Sequence, residues 1–219
     1  MVIFNDHSNI PFRMGYLSKK VKRIATVPTS ANKDKIILGI DPGTNFLGYG
    51  LVKVCGKEAS LIALGTVDLS KLEGHDQKLK RIYERVTYLI KEYQPTECAI
   101  EAPFYGKNIQ SMLKLGRAQG VAIAAAITHE LEVFEYAPRK IKQSITGNGS
   151  SSKEQVAAML QHILKFTELP RYLDATDGLA VAMCHHFQNR ISVKGEKQVS
   201  GWAAFVKANP GKVVKPAGN

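Results

Sequence analysis

Four carboxylates in this sequence stand where side chains commonly do chemistry. Asp41 and Glu101 each follow a short apolar run that predicts a buried strand. Asp174 and Asp177 are three residues apart at the predicted start of a helix, so they share a face. Two like charges about 4 Å apart cost about 4 kcal/mol at an effective dielectric constant of 20, so such a cluster would need cations.

Carboxylate oxygens are the ligands that hard divalent cations prefer, which points to Mg²⁺ with Mn²⁺ as a substitute. Two such ions about 3.5–4 Å apart can activate water and stabilise both oxygens of a phosphodiester displacement. The convergence of the four acids depends on the predicted sheet. Taken singly, Asp41 could merely begin the turn at Pro42, and Asp174 could only cap its helix.

The elements that must position these acids alternate between strand and helix patterns, which predicts an α/β fold. The pattern predicts strands over 36–41, 46–54 and 57–69 as an antiparallel meander, and over 97–101 and 131–136. It predicts helices over 75–93, 108–130, 153–166 and 174–189. Between them, residues 138–153 carry basic side chains and no acid, with a flexible loop expected at 147–152.

Charge divides the 219-residue chain into three parts. The net charge is +11, of which residues 1–35 and 190–219 each contribute +5. We expect a basic, disordered arm over 1–35, with Met14 as an alternative start, and one domain over 36–190. A basic, flexible tail should follow over 191–219, with an apolar island at Trp202 as a possible docking peptide. Basic ends suit a nucleic-acid partner or simply add solubility.

Composition argues against a membrane or secreted protein. No apolar run is long enough to span a bilayer, and the first residues lack a continuous apolar segment typical of a secretion signal. Three scattered cysteines, Cys55, Cys98 and Cys184, fit a reducing cytoplasm better than disulfides or a zinc site. We therefore expect a cytoplasmic protein.

Six segments together resemble the RuvC family of Holliday-junction endonucleases. The resemblance covers about residues 36–189 in order, and its segments are 40–44, 48–50, 100–104, 107–108, 115–120 and 174–180. It implies a ribonuclease H-like fold with a mixed five-stranded sheet flanked by helices. It also implies that Asp41, Glu101, Asp174 and Asp177 are the metal-binding catalytic acids, with two ions per site. The family pattern often has Ala where this chain has Gly178, a change expected to loosen the helix slightly.

The resemblance further implies a homodimer that nicks two opposing strands of a four-way DNA junction during recombination and repair. The products would carry 5′-phosphate and 3′-hydroxyl ends, and the branch-migration proteins RuvA and RuvB would be partners. In the family, the aromatic residue matching Phe104 pushes against junction bases, and lysines matching Lys142 and Lys153 lie near DNA. The full set of expected DNA-binding residues is Phe104, Tyr105, Lys107, Arg139, Lys142 and Lys153.

Three other functions compete with this interpretation. A sugar-kinase or actin-type ATPase can begin with a similar turn after Asp41, but needs a second phosphate loop and a longer chain. A nucleic-acid-binding module without catalysis would not need all four acids, and a different ribonuclease H-like nuclease is the closest rival. The sequence contains no phosphate-binding P-loop or dinucleotide motif in the expected place. His185 and His186 lack ligand spacing, so we expect surface or hydrogen-bonded core histidines.

Overall fold

The computed structural model describes residues 2–5, 34–103, 108–167, 170 and 173–192, with side chains from residue 34 to residue 189 of those ranges. Several predictions therefore fall outside the described residues. These are Phe104, Tyr105 and Lys107, residues 1 and 6–33 of the arm, and residues 193–219 of the tail with its Trp202 island.

Six strands and five helices follow one another along the described chain. The strands are β1 (Val2–Asn5), β2 (Lys35–Asp41), β3 (Phe46–Cys55), β4 (Glu58–Asp68), β5 (Glu97–Glu101) and β6 (Glu132–Tyr136). The helices are α1 (His75–Tyr93), α2 (Ile109–Thr128), α3 (Pro138–Thr146), α4 (Lys153–Leu164) and α5 (Asp174–Ser192).

All the strands belong to one mixed sheet in the order β1-β4-β3-β2-β5-β6. Strands β2, β3 and β4 form the predicted antiparallel meander, while β5 and β6 continue the sheet in parallel with β2. The five-stranded mixed sheet is thus confirmed. Strand β1 adds a sixth member, parallel to β4, so residues 2–5 are not irregular as expected for the arm.

Helices cover both faces of the sheet. One apolar cluster packs α1 and α2 against one face, through residues such as Val86 and Ala122 on the helices and Leu38 on β2. A second cluster packs α3, α4 and α5 against the other face, where Ile37 meets Leu160 and Val181. Strand β2 is buried on both sides, which explains its continuous apolar sequence.

Helix α3 is the helix that sequence patterns did not predict. Pro138 occupies its first turn, where the missing N–H costs nothing, and Ile141 and Ile145 bury one helical face. Gly147 ends the helix in a left-handed conformation with φ of 78°. The following loop is tied by side chains rather than loose, since the hydroxyl of Thr146 hydrogen-bonds with that of Ser151 at 2.8 Å.

Helix α5 lies unusually close to the sheet because glycines face each other. A Cβ atom added to Gly178 would lie 2.5 Å from the Cα atom of Tyr49, and one added to Gly39 would lie 2.4 Å from the backbone nitrogen of Ala182. Such distances leave no room for a side chain. Gly178 therefore permits close packing of α5 on the sheet, while the slight loosening of the helix stays a prediction.

No helix in the described part of the chain has both the length and the apolar character needed to cross a membrane.

Candidate active site

Asp41 and Glu101 end two neighbouring parallel strands at the same edge of the sheet. Ile40 of β2 pairs with Ile100 of β5, so Asp41 and Glu101, which follow them, are neighbours on adjacent strands. The three or four residues that precede each acid are buried, and the side chain of the acid itself is half-buried. This is the strand end at which α/β sheets place their functional groups.

Asp174 and Asp177 enter the site from the first turn of α5. The glycine contacts bring this turn onto the sheet, because a Cβ atom on Gly48 would lie 1.9 Å from the carbonyl oxygen of Asp174. Gly48 is also the residue that pairs with Asp41 across β2 and β3. The helix start, with its partial positive charge, is therefore fixed beside the end of β2.

A cleft of about 110 Å³ joins three of the acids and two lysines. Its lining residues are Asp41, Glu101, Pro138, Ile141, Lys142, Lys153, Val156, Asp177 and Ala180. Asp174 does not line this cleft, but it interacts electrostatically with Asp41 and contacts Lys153. The structure thus brings together all four acids that the sequence predicted as catalytic.

Lys153 lies among the acids and forms ion pairs with two of them. Its Nζ atom lies 2.5 Å from Oδ2 of Asp177 and 3.3 Å from Oδ1 of Asp174. Burial favours the neutral amine, yet the hydrogen bond and charge of Asp177, with the charge of Asp174, raise the pKa of Lys153. Lys153 begins α4 directly after the Ser152 cap, whose hydroxyl and Gln155 form a capping box.

Burial and mutual repulsion make Asp41, Glu101 and Asp177 hard to ionise. Burial, followed by the charges of Asp177 and Asp174, raises the pKa of Asp41 to about 7, although Lys153 opposes the shift. Burial and the charges of Asp41 and Asp177 raise the pKa of Glu101 to about 8. Burial also raises the pKa of Asp177, against the hydrogen bond from Lys153. Because the ionised acids are unfavourable without a counter-charge, a bound cation would stabilise them.

The donor set of the cleft fits hard divalent cations. Its metal-binding groups are carboxylates, and no histidine or cysteine lines it among the residues that the structure describes. Among the described side chains, no group of three acids, histidines or cysteines is already drawn together at metal-binding distances. Lys153 instead provides the positive charge between Asp174 and Asp177.

Two basic residues that we expect to contact DNA, besides Lys153, lie at different places near the site. Lys142 lines the cleft, and its Nζ atom donates a hydrogen bond to the carbonyl oxygen of Ser151 at 2.9 Å. Arg139 lies exposed in the first turn of α3, next to Gly149. Lys142, Lys153 and Arg139 therefore surround the same end of the sheet as the acids.

Sequence reasoning missed Gln119, which belongs to the same region. A second cavity, of about 180 Å³, shares Asp41 and Glu101 with the cleft and is also lined by Pro42, Ala102, Pro103, Leu115 and Gln119. Gln119 is only 7% exposed. The other buried residues of α2 are all alanines, so the burial of Gln119 is a signal that becomes visible only once the orientation of the helix is known.

The two histidines lie away from the acid site and are buried, not on the surface. The ring of His185 hydrogen-bonds through Nδ1 to the hydroxyl of Tyr136 at 2.6 Å and through Nε2 to Glu97 at 3.0 Å. The hydrogen bond from His185, followed by that from Lys35, lowers the pKa of Glu97 to about 2 against the effect of its burial. His185 is thus a hydrogen-bonded core histidine, one of the two outcomes expected.

Comparison with known proteins agrees with this geometry. The family model described as crossover junction endodeoxyribonuclease RuvC matches residues 37–185. A protein of that name from Cytophaga hutchinsonii is 60% identical over 82% of this chain and 88% of its own length.

Two solved structures share the fold. The structure of T. thermophilus RuvC in complex with a Holliday junction substrate has 33% identity and a TM-score of 0.67, covering 72% of this chain and 96% of that one. The yeast mitochondrial Holliday junction resolvase Ydc2 has 13% identity and a TM-score of 0.53, covering 72% of this chain and 80% of that one, and it supports the fold alone. The sheet and its flanking helices are the ribonuclease H-like fold of these nucleases. The chain belongs to the RuvC family of crossover junction endodeoxyribonucleases.

Proposed function

We propose that Asp41, Glu101, Asp174 and Asp177 hold the metal ions with which this chain nicks opposing strands of a four-way DNA junction. The observation that carries the proposal is the cleft in which Asp41, Glu101 and Asp177 meet at one end of the sheet. RuvC-family nucleases are metal-dependent. The raised pKa values of Asp41 and Glu101 supply the physical reason for that dependence in this chain.

Mg²⁺ is the ion that we propose, with two ions per site and Mn²⁺ as a substitute. Carboxylate oxygens and a half-buried cleft suit small, hard cations. When bound, such ions lower the pKa of a coordinated water and neutralise charge on the phosphate. Cleavage then leaves a 5′-phosphate and a 3′-hydroxyl.

Residues of the chain fix the positions of the acids and balance the charge at the site. The half-buried ends of β2 and β5 fix Asp41 and Glu101, while the backbone contact at Gly48 fixes the start of α5. Lys153 offsets the negative charge of Asp177 and Asp174, which otherwise repels the phosphate. Lys142 provides a second cation at the cleft, where it can contact a neighbouring phosphate.

A homodimer would supply two active sites for two strands. One face of α2 presents an apolar stripe with helical spacing, on which Ile109, Leu113 and Ile127 are 70%, 52% and 58% exposed. Gly116 and Gly120 lie on the same stripe, and a Cβ atom at either would meet nothing within 4 Å. A second copy of the same helix could approach closely there, which supports this face as the dimer interface.

Phe104 and Tyr105 remain proposed base-stacking residues, and Lys107 and Arg139 remain proposed phosphate contacts. We further propose that RuvA and RuvB deliver the junction, and that work on chromosomal junctions places the enzyme at the nucleoid. All these proposals rest on the family resemblance. Those for Phe104, Tyr105 and Lys107 rest also on the position of these residues directly after β5.

The proposed function is tested by comparing a synthetic four-way junction with a linear duplex of the same sequence. In Mg²⁺ or Mn²⁺ the chain should nick the junction symmetrically, leave the duplex nearly intact, and yield ends that ligase can reseal. Without a divalent ion neither substrate should be cut. Equal cutting of junction and duplex would instead identify a general nuclease of the same fold.

A further inference from the structure

A cavity lies beside the acid cleft, and it is larger than the cleft itself. Its volume is about 180 Å³, against about 110 Å³ for the cleft, and Asp41 and Glu101 line both. Pro103 and Leu115 give the cavity apolar walls. In DNA a base is separated from the adjoining phosphate by one sugar. When Asp41 and Glu101 hold the scissile phosphate through metal ions, a base next to that phosphate lies within reach of this cavity.

Gln119 gives this cavity a polar group with a fixed orientation. Its Nε2 atom donates to Oε2 of Glu135 at 2.8 Å and, over a longer distance of 3.4 Å, to the carbonyl oxygen of Glu101. An ionised carboxylate only accepts hydrogen bonds, so the amide nitrogen of Gln119 must face Glu135. Both N–H groups are then committed, and Oε1 remains as the acceptor for a ligand.

We propose that this cavity receives a nucleobase next to the scissile phosphate and that Gln119 determines which base is preferred at that position. Adenine, cytosine and guanine carry an exocyclic amino group that can donate to Oε1. Thymine has only its ring N3–H, which lies between two carbonyl oxygens that repel Oε1. To enter the cavity a base must leave its stack, and this costs least where stacking is already interrupted, as at the centre of a junction. This inference rests on the proposed function, since the acids must hold the scissile phosphate.

The inference makes Gln119 a specificity residue and not only a support for Glu101. A support would act through the carbonyl oxygen of Glu101, and its loss would slow cutting of every sequence alike. A base-reading residue changes the ranking of sequences at one position. The two roles therefore differ in the cleavage profile, whatever happens to the overall rate.

The experiment measures cleavage of a junction library in which the bases flanking the cut are randomised. The wild-type chain should disfavour thymine at one of these positions by about three- to tenfold, the effect of one hydrogen bond. Gln119→Met, which keeps the side-chain length, should remove that preference. Gln77→Met, on an exposed position of α1, is the matched control and should keep the wild-type profile.

A binding measurement provides the second readout. Asp41→Asn protein, which should bind without cutting, is mixed with junctions carrying 2-aminopurine at the selected position. Its fluorescence should rise as the base leaves the stack, and should rise less when Gln119→Met is added to Asp41→Asn. A Gln119→Met profile identical in shape to that of the wild type would overturn base selection. Failure of the wild-type chain to cut any junction would overturn the proposed function instead.

Discussion

Gly48 and Asp174 meet backbone to backbone, so closely that a Cβ atom on Gly48 would lie 1.9 Å from the carbonyl oxygen of Asp174. This contact joins strand β3 to the first turn of α5. Since Gly48 also pairs with Asp41, a single residue sets the separation between the strand-end acid and the helix acids.

Gly48→Ala should therefore damage both the fold and the site. The neighbour is backbone, which cannot rotate away, so we expect a loss of about 1–3 kcal/mol in the free energy of unfolding. Urea denaturation measures this loss, and calorimetry with Mn²⁺ should show weaker binding. Gly74→Ala is the control, because its Cβ would meet only side chains that can move, the carboxylate of Asp76 at 2.4 Å and Cγ of Gln77 at 3.4 Å. Equal stability of the two variants would contradict the close contact.

Much of the fold and the acid site could be predicted because the signals are local. Helix α1 was predicted with its observed bounds, since apolar residues recur at helical spacing up to Tyr93 and Pro95 follows. Asp41 and Glu101 were placed correctly because apolar runs end at them.

The rest depended on contacts between distant segments. Helix α3 is short and rich in lysine, and only burial of Ile141 and Ile145 against α4 and α5 reveals its apolar face. Strand β1 is a four-residue segment whose pairing with β4 spans about 60 residues of sequence. The ion pairs of Lys153 with Asp174 and Asp177 depend on how α4 packs on α5, which no local pattern encodes.

The acids should make the stability of the protein depend on pH when divalent ions are chelated. The folded-state pKa values of Glu101 and Asp41 are raised above their ordinary values, to about 8 and about 7, so the folded chain holds protons that the unfolded chain releases. Stability should therefore fall as pH rises from about 4.5 to about 8 and level off above that.

Glu101→Gln should flatten this decline, since it removes one of the acids whose pKa is raised. Urea denaturation in EDTA at pH values from 5 to 9 provides the measurement. Glu84→Gln, on the exposed face of α1, should retain the wild-type slope. A Glu101→Gln variant with the full wild-type slope would show that Glu101 does not hold the raised pKa.

Lys142 should contribute one phosphate contact that does not depend on sequence. Lys142→Ala should weaken binding to different junctions alike and reduce the slope of log affinity against log salt concentration by about 0.9. Lys80→Ala is the control, as Lys80 is exposed on α1 and pairs with Glu84. Fluorescence anisotropy from 50 to 200 mM salt distinguishes them. An unchanged slope for Lys142→Ala would mean that its Nζ stays on Ser151 in the complex.

The apolar stripe on α2 should determine the oligomeric state. Leu113→Glu places a charge on the stripe, where it cannot be buried against a second copy, and should convert a dimer into a monomer. Analytical ultracentrifugation measures this change. Met159→Glu introduces the same charge at an exposed apolar residue of α4, and that variant should remain dimeric. A Leu113→Glu dimer as tight as that of the wild type would place the interface elsewhere.

The assignment of the catalytic acids is tested most directly by single-turnover cleavage of a labelled four-way junction in Mg²⁺. Asp41→Asn, Glu101→Gln, Asp174→Asn and Asp177→Asn should each slow cutting by on the order of 10² or more, while junction binding stays equal or becomes tighter. Binding should not suffer because each variant removes a charge that repels phosphate. Glu84→Gln, far from the cleft, should cut at the wild-type rate. Near wild-type cutting by any of the four variants, with binding intact, would contradict the role given to that acid.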